Sequence, residues 1–282
     1  MNPPQDDSLW ALPMAGMGVT VVLVVAILAV CLRVYGRLAL RVVRGEGKVW
    51  CEPLGLPDLL VVSVLALWSV LLTVGNLSRP AATPPAPLTN EAVGLSMLLF
   101  GIVVGGIVFF LQQRNISVVR LFGFRAVPPM RVLGVSVLLF AAAFPLVRLT
   151  TALTLRWLGD DAEIQQIVQL FSDAVGQGDW GRLVAPILLA VVVAPLTEEF
   201  VFRGYLYGVV RRYLGPITAI VLTSAIFAVI HFNLLSLPSL FILAICFALA
   251  YEATGSLLVP MAMHAIFNAL NLAEIFLTVS RQ

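Results

Sequence analysis

Eight apolar stretches of near-membrane length run through the sequence, at about 14–34, 58–75, 91–111, 132–157, 182–202, 216–232, 238–254 and 257–277. A span needs roughly 20 apolar residues, and a backbone in lipid must satisfy its own hydrogen bonds, so each stretch is expected to be a helix. The fold class that follows is all-α, a polytopic membrane protein of about eight transmembrane helices. Composition agrees: 60% of the residues are hydrophobic and only 11% charged, and the mean hydropathy is +1.01, outside the range of soluble domains.

The N-terminus, MNPPQDDSLW, has two aspartates and no lysine or arginine, and the apolar run after it exceeds a signal-peptide core, so it reads as a retained first span. The cysteines, Cys31, Cys51 and Cys246, are odd in number and form neither a disulfide framework nor a CxxC metal site. A net charge of +2 with no aromatic-interleaved basic patch excludes nucleic acid as a partner.

The last four runs are joined by the short connections RRYLGP, FNLLSLP and TGS and should form a compact bundle of antiparallel neighbours; the first four look more peripheral. Three regions follow: N-terminal transmembrane helices over 1–158, an amphipathic surface helix and loop over 159–181, and a four-helix core over 182–282. The surface helix is expected because Ile164, Ile167, Val168, Phe171, Ala174 and Val175 recur at helical spacing between polar residues. Arg33, Arg37, Arg41, Arg44 and Lys48 follow the first run, Arg114, Arg120, Arg125 and Arg131 flank the third and fourth, and Arg203, Arg211 and Arg212 follow the fifth. Such loops are expected on the cytoplasmic side, with both termini outside.

Ionisable groups inside a span are costly and mark a functional site by default. Here they are Glu198, Glu199 and Arg203 in the fifth run, His231 in the sixth, and His264 with Asn268 in the eighth; Arg148 and Glu252 sit nearer span ends. His231 and His264 are the two histidines of the chain. With the turn between the fifth and sixth runs at Gly215-Pro216, Glu199 lies sixteen residues before it and His231 sixteen after, so the two face each other in an antiparallel hairpin. At 1.5 Å per residue that level is roughly 24 Å from the turn, while His264 is roughly 13 Å beyond the next turn at Gly255. Protrusion of the first hairpin, which Arg211 and Arg212 imply, together with helix tilt and a kink at Pro260, absorbs the gap.

Glu199 and Arg203 are i and i+4 and can form an ion pair. His264 and Asn268 share that spacing, and Asn268 can orient an imidazole, bind a water or hold a substrate carbonyl. Phe227 and His231 repeat it, the ring walling the site from lipid. A glutamate, two histidines and an asparagine in a low-dielectric pocket suit the activation of water for attack on a carbonyl. Glu198 is the candidate base and Glu199 the partner of Arg203; the histidines hold the water, polarise the carbonyl or bind a metal. Ser224, Ser236, Ser239 and Ser256 lack the GxSxG context, and HExxH is absent. Zinc or another divalent metal held by His231 and His264 and a metal-free site are both compatible with this pattern.

The motifs EExxxR (Glu198, Glu199, Arg203), FxxxH (Phe227, His231) and HxxxN (His264, Asn268) resemble, in order, the three motifs of the CAAX protease and bacteriocin-processing family (CPBP, or Abi) of intramembrane proteases. The segment YEATGSLLVPMAMHAIFN strengthens the likeness, which covers roughly residues 182–275. It implies a membrane endopeptidase acting on a membrane-associated peptide or protein within the lipid bilayer. In such an enzyme the first glutamate activates water and the histidines and asparagine complete the site. Members are described both as metalloproteases and as glutamate-dependent enzymes. A bacterial inner membrane is the expected location. Two other classes compete. A proton-coupled transporter would show repeated halves with broken helices, and polar residues stand out here in the second half only. A non-cleaving immunity or scaffold protein need not keep all six polar groups.

Overall fold

The computed structural model describes residues 14–77, 89–158, 180–231 and 233–279. The surface helix expected within 159–181 and most of the proline-rich loop before α3 lie outside them. Every regular element described is a helix: α1 (Met14–Val43), α2 (Leu56–Leu77), α3 (Asn90–Gln113), the short α4 (Val118–Leu121), α5 (Pro129–Leu158), α6 (180–214), α7 (Pro216–Val229), α8 (Leu237–Thr254) and α9 (Leu258–Val279). Six are long and apolar enough to cross a membrane, while α2 over Leu56–Leu71 and α7 are shorter apolar helices. The eight apolar runs therefore appear in order as helices. One boundary moves: the sixth run was expected to be helical to 232, but α7 ends at Val229 and His231 sits in the turn that follows.

Local chemistry sets the helix ends. Thr89 caps α3 by accepting the Ala92 N–H at 3.2 Å. Between α8 and α9 Gly255 takes a left-handed φ of 67°, a conformation that costs glycine nothing.

Helices α6 to α9 pack on one another as the expected bundle. The first spans are less peripheral than expected: α5 lies against both α8 and α9, α1 against α8 and α5, and α3 against α6. Small or polar residues allow this approach: Ala143 is fully buried, and the Ser136 hydroxyl donates to the Val259 carbonyl at 3.1 Å. Interhelical hydrogen bonds and small residues are what hold helices together where no hydrophobic gain separates helix from lipid. One face of α1 joins them, with the Tyr35 hydroxyl donating to the Leu139 carbonyl at 2.7 Å.

At the arginine-rich end three connections interlock. The Lys48 N–H donates to the Glu252 carbonyl at 2.8 Å and the Leu257 N–H to the Phe122 carbonyl at 3.0 Å. The Glu252 carboxylate, fully buried, accepts from the Tyr207 hydroxyl and from Arg211 Nε at 2.5 Å. The basic loops read from the sequence as lying on one side therefore converge on one end of the bundle.

Candidate active site

The site is built on an irregular helix. Within α6 two π-helical segments, Leu189–Val193 and Phe200–Leu206, bracket the α-helical Ala194–Glu199. Such insertions recur at functional sites. The first has a legible cause. The Ala194 N–H donates to the Leu189 carbonyl, and Pro195, the next possible donor for the Ala190 carbonyl, has no N–H. The Ala190 carbonyl is thereby left without a donor inside its own helix. Asn268 of α9 supplies one, its Nδ2 lying 2.7 Å from that oxygen.

Arg203 and Glu199 are 1% and 0% exposed, and Arg203 Nη1 donates to Glu199 Oε1 at 2.8 Å. The i to i+4 ion pair expected from spacing is present, and it is sealed from solvent. The same Oε1 accepts from His264 Nδ1 at 2.9 Å. An ionised carboxylate only accepts, so the proton of a neutral His264 sits on Nδ1 and its Nε2 carries a free lone pair. That Nε2 lies 3.9 Å from Glu198 Oε2, and the Glu198 side chain is 20% exposed. The distance is too long for a direct hydrogen bond, yet a single water can contact both atoms. Neighbouring glutamates thus have different surroundings, Glu199 neutralised and enclosed, Glu198 open.

Aromatic rings enclose the cation. Arg203 lies over the Phe227 ring at 4.2 Å and the Phe247 ring at 5.4 Å, contacts that are worth more when desolvated. Phe247 also packs against His264, with ring centroids 5.4 Å apart.

His231 is placed differently. The hairpin count set it opposite Glu199 and put His264 lower. In the structure His264 touches Glu199 directly, while the Phe227 ring lies between the two imidazoles, 4.7 Å from His231 and 6.0 Å from His264. Gly204, eleven residues before the α6–α7 turn, lies against Leu257, two residues after the α8–α9 turn at Gly255; the α6–α7 hairpin therefore extends below that turn and raises His264 to the glutamates. His231 Nδ1 donates to the Phe227 carbonyl at 2.7 Å, leaving Nε2 available. Glu198, Glu199, Arg203 and His264 are therefore brought together, with His231 joined through Phe227 and Asn268 through Ala190.

A divalent metal would find two facing donors here, Glu198 Oε2 and His264 Nε2. Among the described residues no group of three or more His, Cys, Asp and Glu is arranged to hold a metal ion. Beside the site, an apolar groove of about 510 Å³ runs between α6 and α9, lined by residues that include Ile187, Val191, Leu272 and Phe276. It adjoins the Ala190–Asn268 link.

Three participants escaped the sequence reading. The Ala190 carbonyl is one, for which Pro195 in an apolar run was the available signal. Asp58 and Tyr205 are the others. Asp58 is fully buried, accepts from the Tyr205 hydroxyl at 3.1 Å, and pairs with Arg114 at 2.5 Å. Polar groups are therefore not confined to the second half of the chain.

Residues 180–270, which carry every one of these motif side chains, match the family model described as type II CAAX prenyl endopeptidase Rce1-like. The chain belongs to the CAAX protease family. Membership places it among peptidases, and with six apolar spans it is an integral, multi-pass membrane protein. Three bacterial proteins are similar to it. An uncharacterized protein, YpbD, of Bacillus subtilis (strain 168) is 32% identical over 189 residues, 64% of this chain and 85% of YpbD. The membrane-embedded CAAX protease MroQ of Staphylococcus aureus (strain USA300) is 33% identical over 88 residues, 29% of this chain and 36% of MroQ. An uncharacterized 24.3 kDa protein of Escherichia coli is 33% identical over 95 residues, 32% of this chain and 44% of that protein. The chain thus matches less than half the length of each of the last two. No solved structure matches it.

Proposed function

We propose that this protein is an endopeptidase of a bacterial inner membrane that hydrolyses a peptide bond near a membrane-associated C-terminus or propeptide. The observation that carries the proposal is the division of the glutamate pair: Glu199 is enclosed by Arg203 and His264, while Glu198 faces the unprotonated Nε2 of His264 across 3.9 Å. A water held between Glu198 Oε2 and His264 Nε2 gives a proton to Glu198 as its oxygen attacks the scissile carbonyl. The carbonyl oxygen becomes an oxyanion, toward which the second N–H of the Asn268 amide is the available neutral donor. The C–N bond then breaks, and the proton on Glu198 passes to the leaving amine. Glu199 and Arg203 do not exchange protons with substrate; they hold His264 in the tautomer that presents Nε2. The groove between α6 and α9 receives an apolar segment of the substrate, since its lining is apolar and it adjoins the Asn268 end of the site.

A zinc ion on His264, with Glu198 or His231 as a further ligand, is the other reading of the same residues, and it would supply Lewis-acid activation of the water. No step above is routed through it. Metal analysis of the purified protein, with and without His231, separates the two readings.

The test of function is direct. Purified protein in lipid vesicles is mixed with membrane peptides, and new termini are read by mass spectrometry beside the Glu198→Gln variant. The expected result is defined cleavage by the wild type and retention of uncut peptide by the variant. Absence of new termini across the peptide set, or equal termini from both proteins, would overturn the proposal.

A further inference from the structure

The segment that carries Arg203, Phe200–Leu206, is π-helical. A turn of this kind holds extra backbone, and relaxing it by one residue to α register would rotate one side of the helix against the other by about 100°. Such a rotation would separate Glu199 and Arg203 from His264. Contacts outside the helix must set the register; beside those from Phe227, Phe247 and Leu257, some reach this segment from the part of the chain that the family match does not cover.

Two contacts do so. Phe122, fully buried after α4, packs edge-on against Phe200 with ring centroids 4.8 Å apart. It also fills the place beside Gly204, where a Cβ would stand 3.2 Å from its ring carbons and 3.1 Å from Leu257. Tyr205, two residues beyond Arg203 and fully buried, donates its hydroxyl to Asp58 Oδ1 at 3.1 Å. Asp58 is itself fixed on its other oxygen, by Arg114 Nη1 at 2.5 Å and by the Gly55 N–H at 2.7 Å. Arg114 Nη2 in turn donates to the Pro53 carbonyl at 3.4 Å. One buried carboxylate therefore ties α2, the end of α3 and the π segment of α6.

We infer that Asp58, Arg114 and Tyr205 are positioning residues for the reaction: they hold the π segment in register and so keep Arg203 on Glu199 and Glu199 on His264. This rests on the reading of Glu198, Glu199 and His264 as the hydrolytic site. It assigns α2 and α3 a task beyond spanning the membrane. It also explains why a carboxylate is buried at the edge of an apolar helix, where an uncompensated charge would be excluded.

The test uses the full-length protein labelled with ¹⁵N-histidine, whose two histidines give two separable imidazole signals. Tyr205→Phe removes one hydroxyl and leaves Asp58 its other partners; Asp58→Asn removes the charge that Arg114 and Tyr205 converge on. Both variants are expected to move the His264 signals while leaving those of His231 in place. The same variants should lower kcat about 10- to 100-fold, the cost of a small misplacement, with KM within about twofold of the wild type. Arg148→Gln, which breaks a pair with Glu274 on exposed side chains, should leave both signals unchanged. His264 signals and kcat like those of the wild type in a folded Tyr205→Phe protein would overturn the inference, as would equal movement of both histidines with a general loss of thermal stability. If Asp58→Asn does not fold, Tyr205→Phe decides alone. An inactive wild type whose His264 signals still respond to Tyr205→Phe would sink the proposed reaction but not the positioning.

Discussion

Replacing Arg203 with methionine keeps the apolar stem and removes the guanidinium. Glu199 is then left at 0% exposure without the cation that lies 2.8 Å from it. Breaking a buried pair from one side costs about 3–5 kcal/mol, since the remaining charge stays desolvated. Loss of the contact over Phe227 at 4.2 Å adds about 1 kcal/mol. Against this, His264 remains hydrogen-bonded to Glu199 at 2.9 Å and offsets part of the loss. The net expectation is a loss of about 3 kcal/mol, which for a chain of this size lowers Tm by roughly 6–12 °C. Thermal unfolding in detergent, followed by intrinsic fluorescence, measures it. The decisive comparison is the double variant Glu199→Gln with Arg203→Met, in which no charge is stranded. It should recover at least half of the loss, although it remains inactive. A double variant destabilised by the sum of the two single changes would refute the reasoning, because independent sites add and a coupled pair does not.

Other perturbations separate the parts of the site. Asn268→Ala strands the Ala190 carbonyl in a low-dielectric interior and should cost about 1–3 kcal/mol together with most of the activity, read by Tm and initial rate. Gly204→Ala places a methyl group 3.1–3.2 Å from Phe122 and Leu257; overpacking of this kind costs about 1–3 kcal/mol, measurable as a Tm decrease. His264→Ala should lower kcat far more than His231→Ala, because His264 bonds Glu199 directly at 2.9 Å whereas His231 packs against Phe227; steady-state rates of the two variants compare them.

Much of the architecture could be read without coordinates, for a physical reason. Lipid forbids unpaired backbone, so length and hydropathy alone dictate helices, and the apolar runs appear as α1 to α3 and α5 to α9. The Glu199–Arg203 pair was legible because both residues sit on one helix at a spacing that puts them together. Contacts between helices were less so. The His264–Glu199 bond depends on how far the α6–α7 hairpin extends below the α8–α9 turn, which the approach of Gly204 to Leu257 shows. The Asn268–Ala190 bond depends on a π turn that no pattern of side chains announces, although Pro195 hints at it. Asp58 was passed over since a carboxylate at the first turn of a helix is ordinary in water; its burial comes from Tyr205 and Arg114, distant in sequence. Irregular backbone and long-range polar pairing are thus what the sequence concealed, and they are concentrated around the candidate site.

The division of labour between the two glutamates is the centre of this account. It is tested most directly by the cleavage rate of Glu198→Gln, measured on a substrate peptide in vesicles beside a thermal unfolding curve of the same preparation. Removal of the base should lower kcat by about 10²- to 10⁴-fold while Tm stays close to that of the wild type, since Glu198 makes no buried ion pair with Arg203. Wild-type turnover by a folded Glu198→Gln protein would contradict the account.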